Sequence, residues 1–339
     1  MKIKIITASI AAFVLVIIFT VIVFFYLNSA PGGFTSETGY TVQGGSTVRS
    51  NAQELKEYGL IKNTDFFVLL SYISGKKNML TGTYTIYPGS NSLEILDKLS
   101  KGSVVTVQIT IPEGYNVYSI ASRFETAKIC REDKFLFYAF DRTFLESLGI
   151  KAPSVEGYLY PDTYSFAPGS DPREIIRHLY KQMLHKLDEI DYKERMPEGL
   201  DLNKLLFLAS IIEAEAQVKN EQRLISSVFH NRIRNNMRFD SDPTVRYAVK
   251  KFGGRLRYKD LDSPSPYNTY RKFGFPPGPI ASPGIGAIEA ALNPVISDYL
   301  YFVARNDGTH YFSRTLSRHN KAVDYYQKNI NNGFVDEQL

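Results

Sequence analysis

The chain opens with a long apolar stretch, from Ile5 to Leu27, that contains no charged residue. A bilayer core needs roughly 20 apolar residues in a helix, and this stretch supplies them. Lys2 and Lys4 precede it and no basic residue follows before Arg49, so the positive-inside rule predicts a cytoplasmic N-terminus (residues 1–4) and an extracytoplasmic remainder. A cleaved signal peptide is the alternative interpretation. Its apolar region usually spans about 7–15 residues, which favours a retained single-pass transmembrane helix (5–27).

A weak internal repeat follows a Gly-, Ser- and Thr-rich tether at residues 28–40. An offset of 69 residues relates Gly45 to Gly114, and each copy has the pattern of a short strand, a glycine turn and an amphipathic helix. Residues 41–110 are therefore predicted to form a small α+β module. The module resembles LysM domains, which bind N-acetylated glycans; a structural spacer without affinity for glycans is the equal alternative.

The pattern changes beyond Ile150, where longer helices alternate with Pro- and Gly-rich loops. Asp171 followed by Pro172 is a typical helix start, and an apolar run predicts a second helix over 203–217. Together with the loops of residues 240–286 these elements predict a mixed α/β catalytic domain over 111–335. The fold class expected for the whole chain is α+β.

Composition narrows the classes of function. The chain has 339 residues and a net charge of +5, without an arginine-rich run or an aromatic RNA-binding motif, so nucleic acid is not expected as a partner. Cys130 is the only cysteine, so no intramolecular disulfide can form. The five histidines lack metal-ligand spacing, and neither a metal nor another cofactor is expected.

The strongest chemical candidate is Glu156, at the start of the aromatic segment 156–164. Cleavage of a glycosidic bond needs a protonated carboxyl group to donate to the leaving oxygen. Aromatic surroundings such as Tyr158 and Tyr160 raise the pKa of a carboxyl group by desolvation. Asp162 is a second acid in the same segment. By sequence alone, a surface turn that carries a glutamate is an equal reading.

A second set of candidates lies in the later helices and loops. Glu213 follows an apolar run, where a charge is costly unless it is paired or exposed, and it is the main rival for the catalytic acid. Neutral and acidic side chains in the loops offer the donors and acceptors that sugar hydroxyl and acetamido groups require, although ordinary turn chemistry would explain them too. These candidate substrate-binding or supporting residues are Asn231, Asp242, Thr244, Tyr267 and Asn268.

These segments together resemble the YceG-like family of endolytic murein transglycosylases, also called MltG, over nearly the whole chain. The matching motifs are Glu156-Gly157-Tyr158-Leu159-Tyr160-Pro161-Asp162-Thr163-Tyr164, Ala209-Ser210-Ile211-Ile212-Glu213, Val228-Phe229-His230-Asn231-Arg232, Ser241-Asp242-Pro243-Thr244-Val245, Ser265-Pro266-Tyr267-Asn268-Thr269-Tyr270 and Pro276-Pro277-Gly278-Pro279-Ile280. The resemblance implies that Glu156 is the catalytic residue. Ala214, Asn236 and Phe239-Asp240 depart from the usual family pattern beside the expected cleft.

The resemblance further implies a lytic transglycosylase, a carbon–oxygen lyase. It would cleave MurNAc-β-1,4-GlcNAc bonds in nascent peptidoglycan strands, leave 1,6-anhydro-MurNAc ends and terminate strand elongation. The expected partners are glycan strands, the cytoplasmic membrane and peptidoglycan synthases. Two alternatives stay open: a peptidoglycan hydrolase (muramidase) that pairs Glu156 with Glu213 or Asp162, and a non-catalytic wall-binding scaffold.

Overall fold

The computed structural model describes residues 2–33, 35–102, 106–330, 333–336 and 338, without the side chains of residues 2–9 and 11. Within these residues helices alternate with three two-stranded sheets, so the mixed α+β class is confirmed. The chain divides into two compact units. Unit 1 comprises Met1–Val107 and Ser165–Ser170, and unit 2 comprises Gln108–Tyr164 and Asp171–Leu339.

The N-terminal segment forms a single helix, α1 (Lys2–Asn28). Its described side chains include exposed apolar groups such as Phe13 and Phe19. Part of the predicted anchor, residues 5–9 and 11, lies outside the described side chains. In the part of the chain that the structure describes, no helix has the length and apolar character needed to cross a membrane, and the predicted anchor is not confirmed.

The rest of unit 1 is a small sheet covered by short helices. Strands β1 and β2 pair antiparallel with Tyr40 opposite Tyr84, and both side chains are buried because alternate strand positions face the helices. The elements are β1 (Thr38–Val42), α2 (Val48–Glu57), α3 (Thr64–Ile73), β2 (Gly82–Ile86) and α4 (Ser92–Lys101).

Unit 2 is built around a helix that is buried along most of its length, α9 (Leu202–Glu215). It packs against α12 and α10, and a two-stranded antiparallel sheet, β5–β6, is covered by α13. The elements after α4 are β3 (Val107–Thr110), α5 (Val117–Thr126), α6 (Glu132–Phe140), α7 (Arg142–Ser147), β4 (Thr163–Phe166), α8 (Pro172–Glu189), α9, α10 (Gln222–Arg234), α11 (Asp242–Ala248), α12 (Ile285–Leu292), β5 (Tyr301–Ala304), β6 (His310–Ser313) and α13 (Leu316–Lys328).

The repeat predicted from the sequence is present in the backbone. β1 and β3 begin 69 residues apart, as do α2 and α5, and both helices span ten residues. Gly45 and Gly114 both adopt positive φ values, 81° and 78°, at which glycine is strongly favoured. Thr47 and Asn116 cap the two helices at equivalent positions. The same strand–turn–helix framework is therefore used twice.

Candidate active site

Glu156 lies in a tight turn between α7 and β4, and its neighbour Gly157 fixes the shape of that turn. Gly157 has φ of 78°, and a Cβ atom added there would lie 2.2 Å from Cβ of Pro279. The loop of residues 276–280 therefore packs directly on the backbone of the turn. Both the positive φ and the close approach require glycine beside the acid.

The carboxyl group of Glu156 is buried, with the residue only 1% exposed. Oε2 accepts a hydrogen bond of 2.9 Å from the backbone N–H of Val117, the first residue of α5. This N–H has no partner within its own helix, so the acid satisfies it. Oε1 has no hydrogen-bond partner among the described residues. Because Oε2 is held as an acceptor, Oε1 is the oxygen that can carry a proton.

The protonation of Glu156 follows from this burial. Desolvation raises the pKa of its carboxyl group to about 8, while the N–H groups of Val117 and Gly157 and the hydroxyl group of Tyr247 oppose the rise by favouring the ionised form. Tyr247 acts by proximity, since Oε1 accepts no hydrogen bond of normal geometry. At neutral pH the carboxyl group is therefore mostly protonated, as a general acid must be.

Tyrosine side chains surround this acid. The rings of Tyr247 and Tyr267 are 4.8 Å apart between centroids, and those of Tyr118 and Phe252 are 5.8 Å apart. Burial, together with the charge of Glu156, raises the pKa of both Tyr247 and Tyr267, so both phenols stay protonated. Sequence reasoning selected Tyr267 but missed Tyr247. Tyr247 lies close in sequence to Asp242, a residue of a matching family motif, and this position is the signal that could have identified it.

The other members of the aromatic segment form the framework of the turn. The hydroxyl group of Tyr158 donates to Oδ1 of Asn203 at 3.2 Å, and the backbone N–H of Tyr160 donates to the carbonyl of Leu179. Asp162 is exposed; its carboxylate accepts from the N–H of Thr163 and from the side chain of Gln182. These contacts hold the segment in place and do not involve the carboxyl group of Glu156.

Glu213 is held at the end of α9. Its Oε2 accepts a hydrogen bond of 3.1 Å from the N–H of Gly284, next to the start of α12. Burial raises the pKa of Glu213; the nearby Glu113 adds to the rise, and the Gly284 N–H and Lys219 oppose it. The groups that set the pKa of Glu156 include no carboxylate. The structure therefore does not pair Glu156 with Glu213.

Three of the predicted substrate-binding residues use their polar groups inside the protein: Asn231 lies in α10, Thr244 in α11 and Asn268 in a loop. The side-chain amide of Asn231 donates to the carbonyls of Ser297 and Tyr299, and that of Asn268 donates to two loop carbonyls. The hydroxyl group of Thr244 donates to the carbonyl of Ser241 at 2.6 Å. All three predicted residues are buried, so their contacts support a structural role and not sugar binding.

Asp242 borders a cavity whose wall does not include Glu156, and it accepts a hydrogen bond from the hydroxyl group of Tyr270 at 2.8 Å. Glu215, a half-buried acid that sequence reasoning did not select, lines the same cavity. In the described residues, His, Cys, Asp and Glu side chains form no group of three or more that could hold a metal ion.

The profile of the YceG-like family matches residues 40–325, which include Glu156 and every other site residue discussed above. The chain belongs to the YceG-like family. The same match includes most of unit 1, so the family relationship is not limited to the catalytic candidates.

Relatives of this YceG-like chain include two bacterial proteins named endolytic murein transglycosylase. The one from Bacillus subtilis is 36% identical over 303 residues, which are 84% of this chain and 83% of that protein. The one from Streptococcus pneumoniae R6 is 30% identical over 82% of this chain, and the match spans 56% of that longer protein. A crystal structure of a putative YceG-like protein from Listeria monocytogenes matches 84% of this chain and 98% of that chain, with 34% identity and a TM-score of 0.58.

Proposed function

We propose that this protein is an endolytic murein transglycosylase, which cleaves MurNAc-β-1,4-GlcNAc bonds inside peptidoglycan strands and leaves 1,6-anhydro-MurNAc ends. The name of the B. subtilis relative, which aligns with most of this chain, supports the activity. The observation that carries the chemical part of the proposal is the buried Glu156 carboxyl group with its pKa raised to about 8 and its Oε1 unengaged.

The first step is proton donation from Oε1 of Glu156 to the glycosidic oxygen. The bond between C1 of MurNAc and that oxygen breaks, and its electron pair stays with the departing GlcNAc hydroxyl group. Glu156 becomes ionised as positive charge develops at C1. The Val117 N–H, which already contacts Oε2, stabilises this carboxylate, and the Tyr247 hydroxyl group does so from nearby.

The second step returns the proton. The ionised Glu156 takes the proton from the C6 hydroxyl group of MurNAc, whose oxygen attacks C1 and closes the 1,6-anhydro ring. One carboxyl group therefore acts first as acid and then as base, so the enzyme ends in its starting state. Because the residue is only 1% exposed, the side chains that cover it must move aside for a strand to reach Oε1.

Among the described residues, no carboxyl group shifts the pKa of Glu156, and this favours the transglycosylase reaction over hydrolysis. Glycoside hydrolases use a pair of carboxyl groups on the two sides of the scissile bond. Among the described residues, Glu213 is hydrogen-bonded to Gly284 and Asp162 to Gln182 and Thr163, and neither influences the pKa of Glu156. An attack by the substrate's own C6 hydroxyl group needs no second carboxylate.

The cellular setting is a further part of the proposal. The uncharged sequence from Ile5 to Leu27, preceded by Lys2 and Lys4, supports a single-pass anchor in the cytoplasmic membrane with the N-terminus in the cytoplasm. Such an anchor would keep the enzyme near nascent strands, where it would end their elongation and meet peptidoglycan synthases. Residues 41–110 would act there as a LysM-like glycan-binding module or as a spacer.

The test is mass spectrometry of the products from uncrosslinked glycan strands incubated with the full-length protein in detergent. New 1,6-anhydro-MurNAc ends are expected. New reducing MurNAc ends would identify a hydrolase instead. Binding of strands without release of fragments would favour the wall-binding scaffold.

A further inference from the structure

Unit 2 contains a cavity of about 580 Å³ that the reaction at Glu156 does not use. Its volume lies within the range of small-ligand sites. Glu156 is not part of its wall, which combines three acids, two tyrosines, two histidines and an arginine with apolar side chains from β5 and α13. The residues that matter for its chemistry are Glu215, Asp242, Tyr270, Tyr301 and His319.

In two carboxyl groups of the wall, one oxygen accepts a hydrogen bond from a neighbouring side chain. The hydroxyl group of Ser241 donates to Oε1 of Glu215 at 2.7 Å, and that of Tyr270 donates to Oδ1 of Asp242 at 2.8 Å. Among the described residues, no hydrogen bond reaches Oε2 of Glu215 or Oδ2 of Asp242. Each group is therefore oriented by the protein and keeps one oxygen as an acceptor for a ligand.

His319 is a further polar residue of the cavity wall. Its ring stacks on Tyr301 with centroids 5.3 Å apart, and its Nδ1 is buried without a hydrogen-bond partner among the described residues. Burial lowers the pKa of His319, so the ring is neutral at neutral pH. His319 therefore adds no charge to the cavity wall, which suits a neutral ligand.

The cation in the wall is already engaged. Nε of Arg232 donates to the carbonyl of Leu300 at 2.7 Å, and its Nη1 donates to the carbonyl of Phe239. These bonds hold the guanidinium group against the backbone, so it is poorly placed to bind an anionic ligand. The free acceptors, on acids, instead suit a neutral ligand with several hydroxyl donors. Apolar side chains such as Val303 and Val323 suit the methyl group of an acetamide.

We propose that this cavity is a second saccharide subsite, which binds an N-acetylhexosamine of the glycan strand away from the bond that is cut. This inference rests on the proposed function, since it assigns the cavity to the same substrate. It makes strand length a determinant of binding. Only a strand that reaches both Glu156 and the cavity benefits from both sets of contacts.

The backbone connects the two sites. Asp242 is the first residue of α11 and Tyr247 the sixth, so their Cα atoms lie about 8 Å apart along the helix axis at ~1.5 Å per residue. Tyr267 and Tyr270 come from one loop, the first near Glu156 and the second bonded to Asp242. The same helix and loop therefore supply residues to both sites.

The kinetic test compares long strands with short oligosaccharides that fill only the Glu156 site. For Asp242→Asn and for Glu215→Gln, the ratio of long-strand to short-strand kcat/KM is expected to fall about tenfold, mainly through KM for long strands. Asp298→Asn is the matched control, because this carboxylate has 81% of its side chain exposed and lies outside the cavity wall; it should leave the ratio unchanged. An equal loss on long and short substrates, or an unchanged ratio, would overturn the proposal.

A binding test separates this inference from the proposed function, because it needs no cleavage. Tetra-N-acetylchitotetraose is titrated into the full-length Glu156→Gln protein and into the Glu156→Gln/Asp242→Asn double variant. The second substitution should weaken binding of the oligosaccharide about tenfold. That result would support the subsite even if the wild-type protein cut no strand. Unchanged affinity would contradict it. Tighter binding of the fully deacetylated, cationic oligomer would also contradict it, since it would identify an ammonium site.

Discussion

The two copies of the strand–turn–helix framework have the same local structure but differ at the start of the helix. In the first copy, α2 begins with an exposed capping box in which Thr47 and Ser50 bond each other. In the second copy, the side chain of Asn116 accepts a hydrogen bond from the N–H of Ser119, and the N–H of Val117 binds Glu156. The site therefore arises where a residue 39 positions away in the chain is brought to a helix N-terminus.

Each unit also has an acid beside a tyrosine, and burial decides what the acid can do. In unit 1 the hydroxyl group of Tyr40 donates to Oε2 of Glu54 at 3.2 Å, but Glu54 is exposed and its carboxylate is solvated. In unit 2 Tyr247 lies near Glu156, which is excluded from water. The same pair of residue types is structural in one unit and suited to proton transfer in the other.

The largest expected effect comes from removing the buried acid. Glu156→Gln keeps the shape of the side chain but cannot cycle its proton, so cleavage of glycan strands should fall about a thousandfold or more. Glu54→Gln, the matched change in unit 1, should leave cleavage within about twofold. Both are measured as release of soluble fragments. Equal rates of cleavage for the two variants would contradict the assignment of different roles to Glu156 and Glu54.

The second effect concerns the turn that presents Glu156. Gly157→Ala combines a positive φ with a Cβ atom 2.2 Å from Pro279, and we expect a loss of about 3 kcal/mol or more in the free energy of unfolding. Gly45→Ala has a similar φ of 81° but nothing within 4 Å of its Cβ, so about 1–2 kcal/mol is expected. Denaturant unfolding measures both. Similar losses in the two variants would mean that Pro279 moves away from the added Cβ atom without a loss of stability.

The third effect is a pH dependence of stability. The Glu156 pKa is about 8 in the folded protein against 4.5 for a free glutamate, so from pH 4.5 to 8 the unfolded chain releases a proton that the folded chain keeps. Wild-type stability should fall by about 1.4 kcal/mol per pH unit from this group, and Glu156→Gln should remove that loss.

The measurement is the difference in unfolding free energy between Glu156→Gln and wild type across this pH range. Glu215, whose pKa burial raises to about 7, contributes equally to both proteins and cancels. A difference that stays constant with pH would show that the Glu156 carboxyl group is ionised when folded.

The smallest expected effect comes from changes at the N-cap residues of α2 and α5. Thr47→Ala and Asn116→Ala each remove a side-chain acceptor from a helix N-terminus and should each cost about 1 kcal/mol of stability. Only Asn116→Ala should also lower cleavage several-fold, because it loosens the turn that presents the Val117 N–H. Thermal unfolding and fragment release are measured on the same samples, and a similar loss of activity in both variants would contradict this expectation.

Local sequence patterns were enough for much of the fold. The helix start at Asp171-Pro172, the paired glycines Gly45 and Gly114 and the apolar runs predicted elements that the structure contains, because such signals act over a few residues. Glu156 was selected from its aromatic neighbourhood and the family resemblance.

The groups that surround Glu156 could not be predicted from local sequence patterns. Aromatic surroundings were expected to raise the pKa of Glu156 by desolvation, and burial is the largest cause of the rise, but the opposing contacts of Val117 and Tyr247 were not predicted. These depend on contacts between distant segments, which no local pattern encodes. The cavity around Glu215 was missed for the same reason, since its wall combines α9, α11 and the β5–β6 sheet.

The central claim is that Glu156 cleaves the strand without water as the nucleophile. Its most direct test is to run the wild-type reaction in water enriched in ¹⁸O and to examine the new MurNAc ends by mass spectrometry. The account predicts anhydro ends without ¹⁸O, because the C6 oxygen of the sugar closes the ring. New ends that carry one ¹⁸O at C1 would mean that water attacks, and would contradict the account.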